Sequence, residues 1–247
     1  MANSLKIKIP ITREVRLTIE KAGPGRFWTL SDFPNLPPRQ VAAVLATLYA
    51  RGTLRRYGHG LYYAPKKTLI GEAPPAPVEI ATKLARGERI VMAGLSAYNY
   101  LGLTTQVPAR PIVATNKKLG TNEVEVLLRD LNRYGDDATD EAIMFLDAAG
   151  HIANIPDCPP RKAIENLRAI LENRKLVGVT PNELARLALR DRPGVRGMIG
   201  LLGDLSGGLS ETWRRRLKAS LNPLTKFKLH LPTNFVAPET LKEWHFV

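Results

Sequence analysis

The sequence predicts an α+β chain: a small mixed N-terminal unit over residues 1–66, then a mixed, largely helical α/β domain over residues 78–247. Three observations carry that expectation. Between Phe27 and Tyr63, two proline-separated helical segments are followed by β-rich runs around Gly58-His59-Gly60. The proline-rich stretch within residues 67–77 reads as an extended, semi-rigid linker. Beyond it, apolar residues mostly recur at helical spacing behind capping residues.

The N-terminal elements follow in order. Arg13 to Lys21 reads as a helix with Val15, Leu17, Ile19 and Ala22 available to pack, and Gly23-Pro24-Gly25 ends it. Thr29 is placed to cap a short helix from Leu30 to Phe33, its hydroxyl accepting from a free N–H of the first turn. Pro34-Asn35 breaks that helix. Pro37-Pro38 opens the next one, where a missing N–H costs nothing. The second helix runs from Arg39 to about Arg51 and stops at Gly52, a C′ glycine. Val41, Val44, Leu45 and Leu48 stand at i, i+3, i+4 and i+7, so they form its buried stripe. The opposite face carries Arg39, Ala43, Ala46 and Ala50, flanked by Gln40 and Thr47.

Helix, break, helix, glycine and basic hairpin in this order predict a winged helix-turn-helix. Small residues let a helix axis sit deep in a major groove, while Arg39 and Gln40 near its N-terminus reach base edges. Alanines are also good helix formers and arginines a common solvated face, so no one residue decides. The succession of elements does. Thr53 to Tyr57 and Leu61 to Ala64 form the hairpin, with Arg55, Arg56 and His59 at or near its tip, facing phosphates. The expected duplex contacts are Thr29, Arg39, Gln40, Ala43, Ala46, Thr47, Arg55, Arg56 and His59.

Charge points to the same partner. The 247 residues carry a net +13; residues 1–66 hold 11 Lys+Arg against 3 Asp+Glu, a net +8. Positive charge concentrated in the reading head is the footprint of a polyanion. Cys158 is alone, which leaves no disulfide framework and no cysteine-based zinc site. No apolar run approaches the ~18–20 residues that span a bilayer, Met1 to Lys21 lacks a signal-peptide core, and no basic amphipathic helix has a bulky apolar face. A soluble cytoplasmic protein without membrane contact is expected.

In the second domain, Val78 to Arg86 reads as a helix and Ile90 to Met92 as a strand. Ser96 caps a helix through Tyr100. Val107 to Ala114 and Val124 to Leu128 read as strands. Helices follow at Thr139–Ala149, Pro159–Arg174, Pro181–Arg190, Val195–Leu205 and Ser210–Ser220, and Phe227 to Leu231 reads as a late strand. Thr180-Pro181-Asn182-Glu183 is a capping box with proline at the first helical position.

Catalytic signals are thin, and neither a catalytic residue nor a cofactor is assigned. Asp136, Asp137, Asp140 and Glu141 cluster, but just before a helix N-terminus they fit a turn and a dipole complement better than a metal site. His151, His230 and His245 lack ligand partners at metal-site spacing. The glycines between Gly197 and Gly208 lack the Lys-Ser/Thr of a phosphate-binding loop. Arg214, Arg215 and Arg216, beside Trp213, are candidate secondary phosphate contacts on a basic helix.

Several stretches resemble the AbiE-type antitoxins, specifically the AbiEi family with an N-terminal winged helix: Gly25-Arg26-Phe27-Trp28, Asp32-Phe33, Arg51-Gly52-Thr53-Leu54 and Gly60-Leu61-Tyr62-Tyr63-Ala64-Pro65-Lys66. Gly102-Leu103-Thr104-Thr105-Gln106-Val107-Pro108-Ala109 and Ser220-Leu221-Asn222-Pro223-Leu224-Thr225 extend the likeness. The resemblance implies a two-domain bacterial antitoxin that represses its own operon through inverted repeats. It also implies a functional partner, a nucleotidyltransferase toxin of a type IV system. A plain winged-helix regulator with an effector or dimerisation domain is the alternative. A nucleic-acid-modifying enzyme would have only the acidic cluster as its centre.

Overall fold

The computed structural model describes residues 10–174, 176–229, 231–232 and 235–247, so the expected role of His230 falls outside the described residues. The chain divides into two compact units. Unit 1 runs to Gly87 and takes in Leu119–Glu123; unit 2 comprises Glu88–Lys118 and Val124–Val247.

Unit 1 is ordered α1 (Ile11–Ala22), β1 (Arg26–Trp28), a 3-10 turn (Leu30–Asp32), α2 (Pro38–Ala50), β2 (Arg55–Gly58), β3 (Leu61–Ala64), β4 (Lys66–Thr68), β5 (Gly71–Ala73) and α3 (Pro77–Ala85). Strands β1, β3 and β2 form an antiparallel sheet with β3 central, and β4 pairs with β5 alone. The four spaced residues of α2, Val41, Val44, Leu45 and Leu48, are all buried. Gly52 follows the helix at φ +74°, a region only glycine enters freely. Its N–H donates to the Tyr49 carbonyl and that of Thr53 to the Leu48 carbonyl, which is the Schellman closure. In α1 only Val15 and Ile19 are buried. Leu17 is 46% exposed, because two residues turn a helix about 200° away from the core.

The expected boundary at residues 67–77 is displaced, for a physical reason. Strand β3 is buried on both faces. Tyr62 and Ala64 join Trp28, Val15 and the α2 stripe on one side, while Leu61 and Tyr63 join Phe27 on the other. That second face needs a cover, and Ile80 and Leu84 of α3 supply it. The prolines therefore lead into α3 of the same unit, and residues 66–73 form a hairpin instead of a spacer. Strand β1, too short to read as a run in sequence, completes the sheet.

Unit 2 comprises β6 (Ile90–Met92), α4 (Gly94–Tyr100), β7 (Ile112–Thr115), β8 (Glu125–Leu128), α5 (Asp140–Gly150), α6 (Pro160–Asn173), α7 (Pro181–Ala188), α8 (Pro193–Leu205), α9 (Glu211–Ala219) and α10 (Pro238–Glu243). The sheet order is β6-β7-β8, with β6 antiparallel and β8 parallel to β7. The molecule is thus mixed α/β with a helical second half. Helix α5 is buried from Ala142 to Ala149 and packs against α4 and α8. Thr139 and Thr180 cap as expected, accepting from Ala142 N–H and Glu183 N–H at 3.2 Å each. Ser96 lies inside α4 instead of capping it, and its hydroxyl accepts the Ile112 N–H. Strand β7 is shorter than expected: Val107 is 76% exposed. Among the described residues, the late strand reduces to a bridge between Phe227 and Phe246.

The glycines of α8 are packing devices. A methyl group on Gly200 would lie 2.2 Å from the Trp244 ring, and one on Gly203 would lie 2.9 Å from Leu209. Trp244 is completely buried there, its indole N–H donating to Asp204. No described helix is long and apolar enough to cross a membrane.

Candidate nucleic-acid interface

On α2, the residues of the expected duplex face are open to solvent. Arg39, Gln40, Ala43, Ala46 and Thr47 are all exposed. The side chains of Arg39 and Gln40 make no hydrogen bond or ion pair with another described residue. The Thr47 hydroxyl donates to the Ala43 carbonyl at 2.9 Å, so only its lone pairs face outward. Thr29 is half-buried, and both its N–H and its hydroxyl donate to the Asp32 carboxylate, at 2.7 and 2.9 Å. It locks the 3-10 turn, and both of its donors are spent there.

The β2–β3 hairpin separates its two arginines. Arg56 is exposed, with its Nε donating to the Gly58 carbonyl at 3.1 Å. His59, at the turn, is exposed. Arg55 is committed elsewhere: its Nε and one terminal nitrogen donate to both oxygens of Glu72 at 2.9 and 3.0 Å, and the other donates to the Gly52 carbonyl. A bidentate pair offsets its charge and fixes its direction, so the hairpin carries one arginine without a carboxylate partner where two were expected. The sequence held no sign of this, because Glu72 lay in the stretch read as linker. Residues 120–123 flank the hairpin beside Tyr57, Gly58 and His59. Partial burial, then the Glu123 carboxylate, push the Tyr57 hydroxyl upward.

The basic helix α9 behaves similarly. Arg214 is half-buried and pairs with Asp204 at 2.7 Å, which removes it as a phosphate contact. Arg215 and Arg216 are exposed, and Arg216 lies over the Trp213 ring at 4.9 Å. The acidic cluster is dispersed between partners. Asp137 pairs with Arg186 at 2.8 Å and Asp140 with Arg89 at 2.6 Å.

Unit 2 gathers a polar cluster that sequence reading missed. Asp147, buried on α5, accepts from Arg129 and from the Gly94 N–H at 2.8 Å, and His151 Nδ1 lies 3.1 Å from its carboxylate and 2.8 Å from its backbone carbonyl. Burial pushes the Asp147 carboxyl up, but these donors outweigh it and hold it below the usual carboxylate range. The hydrogen bond to Asp147 raises His151, against burial and Arg192. Asp191 accepts the Tyr134 hydroxyl at 2.6 Å, the Arg192 N–H at 2.8 Å and Arg133 at 3.3 Å. Arg129, Arg133, Arg192 and His151 line a cavity of about 360 Å³. The one available signal was the spacing of Asp147 and His151, four apart at the end of a helix.

Residues 15–129 match a family model described as "Family of unknown function (DUF6088)". The match takes in unit 1 from Val15 onward and the sheet of unit 2. No curated protein matches. Among solved structures, the chain is similar to the crystal structure of RV2827C protein from Mycobacterium tuberculosis, with a TM-score of 0.55 and 15% identity. That likeness spans 97% of this chain and 92% of the mycobacterial one, and it is a likeness of fold.

Proposed function

We propose that unit 1 is a winged helix-turn-helix that reads duplex DNA through α2 and, on the resemblance to the AbiEi family, that the chain represses its own promoter at inverted repeats. The observation that carries this reading is the outer face of α2. It is exposed along its length, small in its middle, and ends in two unengaged donors, Arg39 and Gln40. Small side chains admit the helix to a major groove, and guanidinium and amide groups are the ones that recognise guanine and adenine there. The order α1, β1, turn, α2, β2, β3, with a three-stranded antiparallel sheet, supports the assignment. So does the net +8 of residues 1–66.

The antitoxin role, opposing a nucleotidyltransferase toxin, rests on the sequence resemblance to the AbiEi family. Fluorescence anisotropy on the chain's own promoter tests the first part, and growth rescue by co-expression with the adjacent gene product tests the second. Binding to the promoter no tighter than to scrambled duplex would remove the repressor; failure to rescue growth would remove the antitoxin. One observation favours a second reading for unit 2. The cavity lined by Arg129, Arg133 and Arg192 together with Asp130, Asp147 and Asp191 has the size of a small-molecule site, which suits a regulator that responds to a polar effector.

A further inference from the structure

We infer that the β4–β5 hairpin is a wedge for duplex DNA, with Leu69 and Ile70 entering between base pairs from the minor groove; the inference rests on the DNA-reading role proposed for unit 1. Leu69 and Ile70 form the two-residue turn between the paired Thr68 and Gly71, and they are 106% and 99% exposed. Two-residue turns favour Gly, Asn and Asp, so two large aliphatic side chains held wholly in water serve neither turn nor core.

The surroundings specify the partner. Lys66 and Lys67 on β4 are exposed. The hairpin's one acid, Glu72, is neutralised by Arg55, so the hairpin presents positive charge around an apolar point. The same bidentate pair fastens the hairpin to β2, and Arg55 also donates to the Gly52 carbonyl at the end of α2. The wedge is therefore mounted on the reading helix and its sheet. Arg55 stands opposite Tyr63, at the end of the β2–β3 pair away from the 59–60 turn, so the β4–β5 hairpin is fastened at that end. A tip of two side chains falls far short of the ~1,000 Å² that a specific protein contact buries. A base step needs only one or two aliphatic side chains, with lysines on the flanking phosphates. Flexible pyrimidine–purine steps are the preferred target, since they unstack at least cost.

The test uses the full chain and its promoter duplex carrying 2-aminopurine at successive positions. Wild-type protein is expected to raise the fluorescence at one step. The Leu69→Ser/Ile70→Ser chain is expected to raise it nowhere and to bind about tenfold more weakly. Its log K against log salt slope is expected to stay unchanged, because no phosphate contact is lost. Both side chains lie in solvent, so an unchanged melting curve accompanies that result. Equal affinity and equal fluorescence for the two chains would overturn the wedge while leaving DNA reading intact. A fall in self-association in the double variant, without change in DNA binding, would make the tip a contact between copies and overturn it too. A wild-type chain that binds no duplex would remove the DNA reading itself, and the wedge with it.

Discussion

Unit 1 keeps several arginines exposed over an apolar core, whereas unit 2 turns some of its arginines partly inward onto acids. Around α2, Arg39, Arg51 and Arg56 lie exposed over a core made of apolar residues alone. In unit 2, Arg129, Arg133, Arg196 and Arg214 are turned partly inward, onto Asp147, Asp191, the Ser220 carbonyl and Asp204. A paired, half-buried guanidinium has given up its field; an exposed one projects it to about a Debye length, ~8–10 Å. Net charge alone does not separate the two arrangements. Which arginines can meet a polyanion is decided by their partners, and Arg55 makes the point within unit 1, where one glutamate silences it.

The largest expected effect lies in unit 2, where packing is tightest. Gly200→Ala drives a methyl group into Trp244 and is expected to destabilise by about 3 kcal/mol or more. A thermal melt checks it, and an unchanged Tm would mean that α8 and Trp244 are not in this contact. Asp147→Asn leaves Arg129 and His151 without their shared carboxylate and is expected to cost about 3 kcal/mol. Its pH dependence follows from the two shifts. Asp147 is held low, so its contribution is present above about pH 4 and is lost as pH falls through the lowered folded value. His151 is held high, so its contribution is full below about pH 6.5 and is lost as pH rises through the raised value. The gap between wild type and Asp147→Asn is thus expected to be widest between about pH 4 and 6.5 in denaturant titrations. A gap that does not vary with pH would mean that the cluster is not coupled.

A smaller effect tests the limit of unit 1. A fragment ending at Lys67 uncovers Phe27, Leu61 and Tyr63, whereas one ending at Gly87 keeps Ile80 over them. The longer fragment is expected to be more stable by about 2 kcal/mol from that burial. Equal stability would return the boundary to residues 67–77. The finest distinction concerns the β2–β3 hairpin, the wing of the proposed DNA-reading unit. Arg56→Ala is expected to lower the slope of log K against log salt by about 0.9, the value for one phosphate, and Arg55→Ala by much less. Equal changes would mean that the Arg55–Glu72 pair opens on DNA.

Much of this was legible in sequence wherever the signal was local. Helix α2 was readable because four apolar residues at helical spacing lay between a proline start and a glycine stop. Thr139 and Thr180 were readable because a cap is decided within four residues. What escaped was decided across the fold. Helix α3 joined unit 1 because the second face of β3 needed a cover, and no local pattern states which face of a strand is unpaired. The Arg55–Glu72 pair spans 17 residues and the Arg214–Asp204 pair joins two helices, so neither arginine's loss was visible. The helix over Val195–Leu205 was readable, but that Gly200 leaves room for Trp244, some 40 residues further on, was not.

The central claim, that the outer face of α2 reads bases, rests most directly on Arg39. Wild-type and Arg39→Ala chains should be titrated against the promoter site and a scrambled duplex of equal length at one salt concentration. Loss of a bidentate base contact is expected to weaken the promoter complex by ~1–3 kcal/mol and leave the scrambled complex nearly unchanged. Equal weakening on both duplexes would make Arg39 a phosphate contact and contradict base reading by α2.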